Sequence, residues 1–328
     1  MTSNTQSSSR PWLLDLPLWT IFAPVFAAIV MVAAALGLQL GGFFVAVIAL
    51  SLAGSVFAAV HHAEVVAHRI GEPYGTLVLA LAVTLIEVAL IVSLMIAGGA
   101  EAAALARDTV FAAVMIILNG IIGLCLLVGG FKHREQTFSL DGVSAALVAL
   151  AAIVVLALVF PNYTLTTPGP YYSPSQLILI AIVSLTIYGA FVFAQTIGHR
   201  GIFVQDDSAN EGPQHTRQPS NGVTAVSSLL LMACLAAVVL LAKKLAPSLE
   251  AAVTLVGAPN AVVGVIIAAI VLLPEALAAL RAARANRLQT SLNLALGSAL
   301  ASIGLTIPAV SVLSLYMHTQ LVLGIDSK

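Results

Sequence analysis

From its N-terminus onward the chain alternates long apolar runs with short polar breaks. The runs extend approximately over Leu18 to Leu36, Leu40 to Val60, Leu77 to Ala97, Thr109 to Gly130, Val143 to Phe160, Leu177 to Ile197, Val223 to Ala242, Val262 to Leu280 and Ser291 to Tyr316. About 20 apolar residues in a helix, rising 1.5 Å each, cover the roughly 30 Å hydrocarbon core of a bilayer. The pattern therefore predicts nine transmembrane helices in an all-α polytopic membrane protein. A polar tail occupies residues 1–17 and lacks the basic start and short apolar region of a cleaved signal peptide, so the first run, 18–36, is expected to stay as an anchor. The longest polar break is 198–222, GHRGIFVQDDSANEGPQHTRQPSNG, which reads as a hydrophilic linker. It separates five helices over 40–197 from three over 223–328.

Polar positions inside the runs are few, and they carry the chemistry. Leu77 to Ala97 reads LVLALAVTLIEVALIVSLMIA and places Glu87 near its midpoint. An acid at the centre of a membrane helix costs about 2.5–3.5 kcal/mol on insertion scales and is by default a functional candidate. Of the fourteen Asp and Glu residues, only Glu87 and Glu275 lie deep inside a run. Each acid helix is followed by one with small and polar residues: ILNGIIGL, with Asn119, Gly120 and Gly123, after Glu87, and NLALGSALASIGL, with Asn293, Gly297, Ser298 and Ser302, after Glu275. The acid helices are third and eighth in order, so they cross in opposite directions. Similar content at an odd offset is the signature of inverted repeats, whose interface near the midplane holds the substrate in secondary transporters.

Two carboxylates that meet offer hard oxygens suited to Ca²⁺ or to monovalent cations, and they can also hold protons. Protons and cations then compete for the same oxygens. Thr84, three residues before Glu87, shares its helix face and could join the binding set. Pro274, directly before Glu275, frees a backbone carbonyl near Ile270, which could serve a cation or simply accompany a kink. Asn119 and Ser298 are further cation-binding candidates, and Asn293 an accessory one; hydrogen bonding between helices is the alternative for such residues.

Composition agrees: 60% of residues are hydrophobic and 8% charged, with a mean hydropathy of +1.06. Nucleic-acid binding has no support, and Cys125 and Cys234, each inside an apolar run, read as small packing residues. Charge sorts by loop. With the N-terminus inside, Arg10, Arg69, Lys132, Arg134, Arg200, Arg217, Arg281, Arg284 and Arg287 face the cytoplasm, whereas Arg107, Lys243, Lys244 and Lys328 face out, nine against four. The expectation is a multi-pass protein of the inner (plasma) membrane with a cytoplasmic N-terminus. One competing site stands in HHAEVVAHRIG: His61, Glu64 and His68 at i, i+3 and i+7 share a helix face and could hold the metal of a membrane metalloenzyme, although no HExxH is present. An interfacial amphipathic segment is the plainer reading.

The stretch AEVVAHRIGEPYGTLVLALAVTLIEVAL, together with PNAVVGVIIAAIVLLPEALAAL and NRLQTSLNLALGSALASIGLTIPAV, resembles the calcium/cation–proton exchanger family, specifically its bacterial calcium/proton and sodium-potassium/proton antiporters. The resemblance runs from about Ser55 to Met317. It implies an inverted-repeat fold of one extra helix plus five and five, and a secondary antiporter, not an enzyme, that needs no cofactor beyond its transported cation and protons. By position, Glu87 and Glu275 match the paired acids, Ser298 and Asn119 corresponding polar positions of the two repeats, and Glu64 an acid preceding the first repeat. Plant and fungal members carry Gly-Asn-Ala before each acid; this chain has Val83-Thr84-Leu85-Ile86 and Val271-Leu272-Leu273-Pro274, which leaves Na⁺ and K⁺ beside Ca²⁺ as cargo. Nine runs stand where the family pattern has about eleven, so the second repeat is expected to lack two terminal helices, and a non-transporting homologue is a further alternative.

Overall fold

Nine long helices and one short one make up the computed structural model, which describes residues 16–37, 41–71, 74–98, 103–198, 200–203, 219–259 and 261–325. They are α1 (Leu18–Ala35), α2 (Gly42–Ile70), α3 (Tyr74–Gly98), α4 (Leu105–His133), α5 (Leu140–Tyr163), α6 (Pro174–Gly198), the short α7 (Arg200–Phe203), α8 (Asn221–Leu255), α9 (Ala261–Arg284) and α10 (Leu288–Met317). Eight of these are long and apolar enough to cross a membrane, and α3 contributes the apolar segment Leu81–Ile96. Among the described residues there is no strand, only an isolated antiparallel bridge between Tyr171 and Val322.

Local chemistry sets the helix ends. At the start of α6 the sequence Ser173-Pro174-Ser175-Gln176 forms a capping box: Gln176 N donates to Ser173 Oγ (3.4 Å) and Ser173 N to Gln176 Oε1 (2.9 Å). Pro174 occupies the first turn, where its missing N–H costs nothing. Gly71 ends α2 at φ 80°, a conformation that a side chain would strain. Helix α4 passes through a π-helical turn at Ile116–Ile121, which contains Asn119 and Gly120.

Each predicted run lies on one observed helix, but two helices continue well past theirs. The α2 helix carries on through the polar HHAEVVAHRI, and α8 through Lys243, Lys244 and Pro247 to Leu255. Hydropathy marks only the lipid-matched part of a helix, whereas the backbone ladder extends wherever Ala, Leu, Glu and Lys favour it. Within the expected linker, residues 200–203 are helical and 204–218 lie outside the described residues, as does the tail through residue 15.

The chain divides into two compact units, residues 1–79 with 215–241, and residues 80–214 with 242–328. In the first, α1 packs on α2, and buried His62 reaches the Thr20 carbonyl through Nε2 at 3.1 Å. Arg69 ties α2 to the start of α8, donating to Pro219 O (3.4 Å) and Asn221 Oδ1 (2.5 Å). The second unit is built around α10, which packs against α4, α5, α6 and α9. In its most apolar stretch 67% of residues are buried, against at most 39% in the other seven spans. A helix enclosed by protein on most sides can carry polar residues that lipid would not tolerate. Gln289, Ser291, Ser302, Thr306, Ser311 and Ser314 of α10 are all buried. At one end of this unit residues 322–325 are stitched to neighbouring segments by Val322 N→Ala103 O (3.1 Å), Ile325 N→Leu158 O (3.0 Å) and Arg107 Nη1→Gly324 O (2.9 Å).

Candidate cation-binding site

Three helices of the second unit converge on the acids: α3 with Glu87, α9 with Glu275, and α10, which packs along α9. Glu87 is buried, and its Oε1 accepts a hydrogen bond from the Ser302 hydroxyl of α10. Such a bond, to a group able to carry charge, fixes the carboxyl against rotation and is worth about 1.5–3 kcal/mol. Both oxygens of Glu275 are buried and meet no hydrogen-bond donor from any other residue among the described residues, and Glu275 lies within electrostatic reach of Glu87. The two acids that the sequence singled out are thus brought together, on helices from opposite ends of the chain's order.

The remaining candidates separate. Thr84 is buried one turn before Glu87 on α3, and Pro274 is buried beside Glu275 on α9. Ser298 is half-buried on α10. Four residues further on, Ser302 shares its helix face and is the hydroxyl that meets Glu87, so the polar contact falls one turn beyond the expected position. The sequence counts Ser302 among the small and polar residues of this helix without giving it a site role, and the four-residue spacing within GSALAS is the signal that places it on the face of Ser298.

Asn119 is not gathered to the acids: it is exposed, and its amide donates within its own helix to Met115 O (3.2 Å). Asn293, expected as an accessory site residue, is instead structural. Its Nδ2 donates to Phe203 O and its Oδ1 accepts from Gln289 Nε2 (2.9 Å), while Gln289 Oε1 accepts from Ser139 N (2.6 Å). This chain of bonds fastens α7 and the start of α5 to the first turns of α10. Glu64 belongs to the other unit and is exposed.

The competing metal site does not form. Among the described residues no three His, Cys, Asp or Glu side chains are grouped to hold a metal ion. The His61 ring turns to Trp19 (centroids 5.7 Å apart) with Nε2 buried, while Glu64 and His68 are exposed further along α2. Shared helical phase was not enough, because α1 takes up one member of the trio.

Comparison with known proteins agrees with this architecture. The model of the family described as sodium/calcium exchanger protein matches residues 38–197 and 226–325. The y4hA protein of Sinorhizobium fredii is 47% identical over 312 residues, covering 94% of this chain and 84% of its own. The sodium-potassium/proton antiporter ChaA of Escherichia coli is 38% identical over 275 residues, covering 83% of this chain and 74% of its own. The crystal structure of the H⁺/Ca²⁺ exchanger CAX superposes with a TM-score of 0.68 at 14% identity, over 94% of this chain and 77% of that one, a likeness of fold. With its all-helical inverted-repeat architecture and a family match over both halves, this multi-pass membrane chain belongs to the sodium/calcium exchanger protein family.

Proposed function

We propose that the chain is a secondary antiporter that exchanges Ca²⁺, or Na⁺ or K⁺, for protons by letting cation and proton compete for the oxygens of Glu87 and Glu275. The observation that carries this reading is Glu275: a buried carboxyl whose two oxygens meet no donor from another residue among the described residues, within electrostatic reach of a second acid. Burying a carboxylate without a partner costs several kcal/mol, so a cation or a proton is what such a group is built to receive. Glu87, anchored by Ser302, supplies the second ligand in a fixed position. Two carboxyls fall short of the six to eight oxygens that Ca²⁺ takes; Thr84, the carbonyl freed by Pro274 and water would complete the shell.

The family is one of cation exchangers, and the relative named a sodium-potassium/proton antiporter supports proton coupling. The absence of amide residues just before the two acids weighs toward Na⁺ or K⁺ as well as Ca²⁺. The reading also takes 40–197 and 223–328 as the two repeats, and places the N-terminus in the cytoplasm with the protein in the inner membrane, on the charge asymmetry of the loops.

The test is proton flux in inverted vesicles, with Ca²⁺, Na⁺ and K⁺ compared side by side at one ionic strength. At least one cation should dissipate an imposed pH gradient, and Glu275→Gln should abolish the response. Gradient dissipation that survives both Glu87→Gln and Glu275→Gln would sink the mechanism.

A further inference from the structure

The end of the second unit at which α9 finishes carries a chemistry that the acid pair does not use. Lys132 Nζ and His133 Nε2 both hold Arg284 O, at 2.8 and 2.9 Å. Gln136 Nε2 donates to Ala283 O (2.9 Å) and Asn286 Oδ1 (3.1 Å). These bonds satisfy the last carbonyls of the Glu275 helix and fix the segment after α4 against the segment between α9 and α10.

The clamp gathers Lys132, Arg134, Arg281, Arg284 and Arg287 at one place, against Glu135 and Asp141; five cations less two acids leave a balance of +3. Lys132 is engaged by the carbonyl. The four arginines are exposed, and none of their guanidinium groups meets a protein acceptor among the described residues. Arg281 and Arg284, three apart on the last turn of α9, lie on one face of it. Guanidinium forks match the paired oxygens of a phosphate.

Charge alone would suit any anion, but large apolar side chains stand beside the cations. Phe131 immediately precedes Lys132 and is 83% exposed, and beyond the clamp Phe138 and Leu140 are 46% and 69% exposed. Cations flanked by bare apolar side chains, in a protein that spans a membrane, fit an amphiphile with a phosphodiester head. We propose that this end of the unit is a binding site for an anionic phospholipid, its phosphodiester held by Arg134, Arg281, Arg284 and Arg287 and its acyl chains lying on Phe131 and Leu140. Charges that merely set topology would need no such convergence of two segments and would retain no particular lipid.

Native mass spectrometry of the purified full chain, delipidated and then offered phosphatidylglycerol or phosphatidylcholine at equal concentration, tests the site. One phosphatidylglycerol should be retained at least about tenfold better than phosphatidylcholine, since both offer a phosphodiester but the fixed positive charge of choline is repelled by a site with a balance of +3. Changing all four arginines to Gln should remove that preference, whereas changing them to Lys should keep most of it and shows that the fold survives substitution. Lys243→Gln with Lys244→Gln, elsewhere in the chain, should leave it untouched. The proposal is overturned if the Gln variant retains phosphatidylglycerol as the unaltered chain does, or if the Lys243/Lys244 variant loses it equally. Competition by soluble glycerol phosphate at the lipid's own concentration would assign the site to free phosphate and overturn it as well.

Discussion

Glu87 and Glu275 each lie near the middle of a long apolar helix, yet the protein surrounds them differently. Glu87 is held by the Ser302 hydroxyl, whereas Glu275 receives no donor from another residue among the described residues and follows a proline that removes one more backbone N–H from its own helix. The difference teaches that two acids placed alike within their helices need not be served alike: one is fixed by a hydroxyl, the other is not. On the proposed function, a cation would find one oriented oxygen set and one that closes around it.

The largest expected effect comes from removing either charge. Glu275→Gln and Glu87→Gln should each reduce cation-driven proton flux by about a hundredfold or more, since both a charge and a ligand oxygen are lost at a low-dielectric site. If the acids are unequal as described, Glu87→Gln should leave the protein as stable as before, because the amide oxygen still accepts from Ser302. Flux in vesicles and a thermal melt in detergent read the two outcomes. A Glu87→Gln protein that transports normally would show that the pair is not shared.

Next in size is Ser302→Ala, which removes what distinguishes the two acids. Losing a hydrogen bond worth about 1.5 kcal/mol to a charged group should raise the half-saturating cation concentration about tenfold. The effect should appear in the concentration dependence of flux and leave the maximal rate within about threefold, because both carboxyls remain. An unchanged half-saturation would mean that the hydroxyl positions nothing.

The acids were legible in the sequence because charge inside an apolar run is costly and therefore conspicuous; the hydroxyl that meets Glu87 was not. Ser298 and Ser302 share a face of α10 one turn apart, and which of them meets Glu87 depends on how far α10 slides along α3, a quantity set by packing and written in no single segment. Asn293, expected only as an accessory to the site, lies five residues before Ser298 and so faces away from it, to Gln289 and the Phe203 carbonyl. Asn119 stands apart from the acids, exposed and bonded within its own helix, in a π-helical turn of α4 that periodicity arguments assuming 3.6 residues per turn do not foresee. The helices themselves were legible as apolar runs, and the helical phase of HHAEVVAHRIG was legible as well; the extension of α8 past Ala242 to Leu255 was not.

Pro274→Ala addresses the other side of the comparison. Alanine restores a backbone N–H able to bond the carbonyl near Ile270, so if that carbonyl serves the cation, the half-saturating concentration should rise by about threefold, less than for the charged-group contact of Ser302. If Pro274 only bends the helix, the melting temperature should rise, as alanine is about 3 kcal/mol better than proline in a helix interior, and the half-saturation should stay put. Measuring both separates the readings.

The smallest effects belong to residues that share a helix with Ser302 without touching an acid, and they test whether one turn of α10 matters. Ser298→Ala should change half-saturation by less than about twofold, because no hydrogen bond to a charged group is lost there. Asn293→Ala should likewise spare half-saturation but lower the melting temperature, since it strands the Gln289 amide and the Phe203 carbonyl at a cost of about 1–3 kcal/mol. A Ser298→Ala protein as impaired as Ser302→Ala would mean that the acids are contacted over two turns of α10, and the contrast between an anchored Glu87 and an open Glu275 would have to be redrawn around a wider polar face.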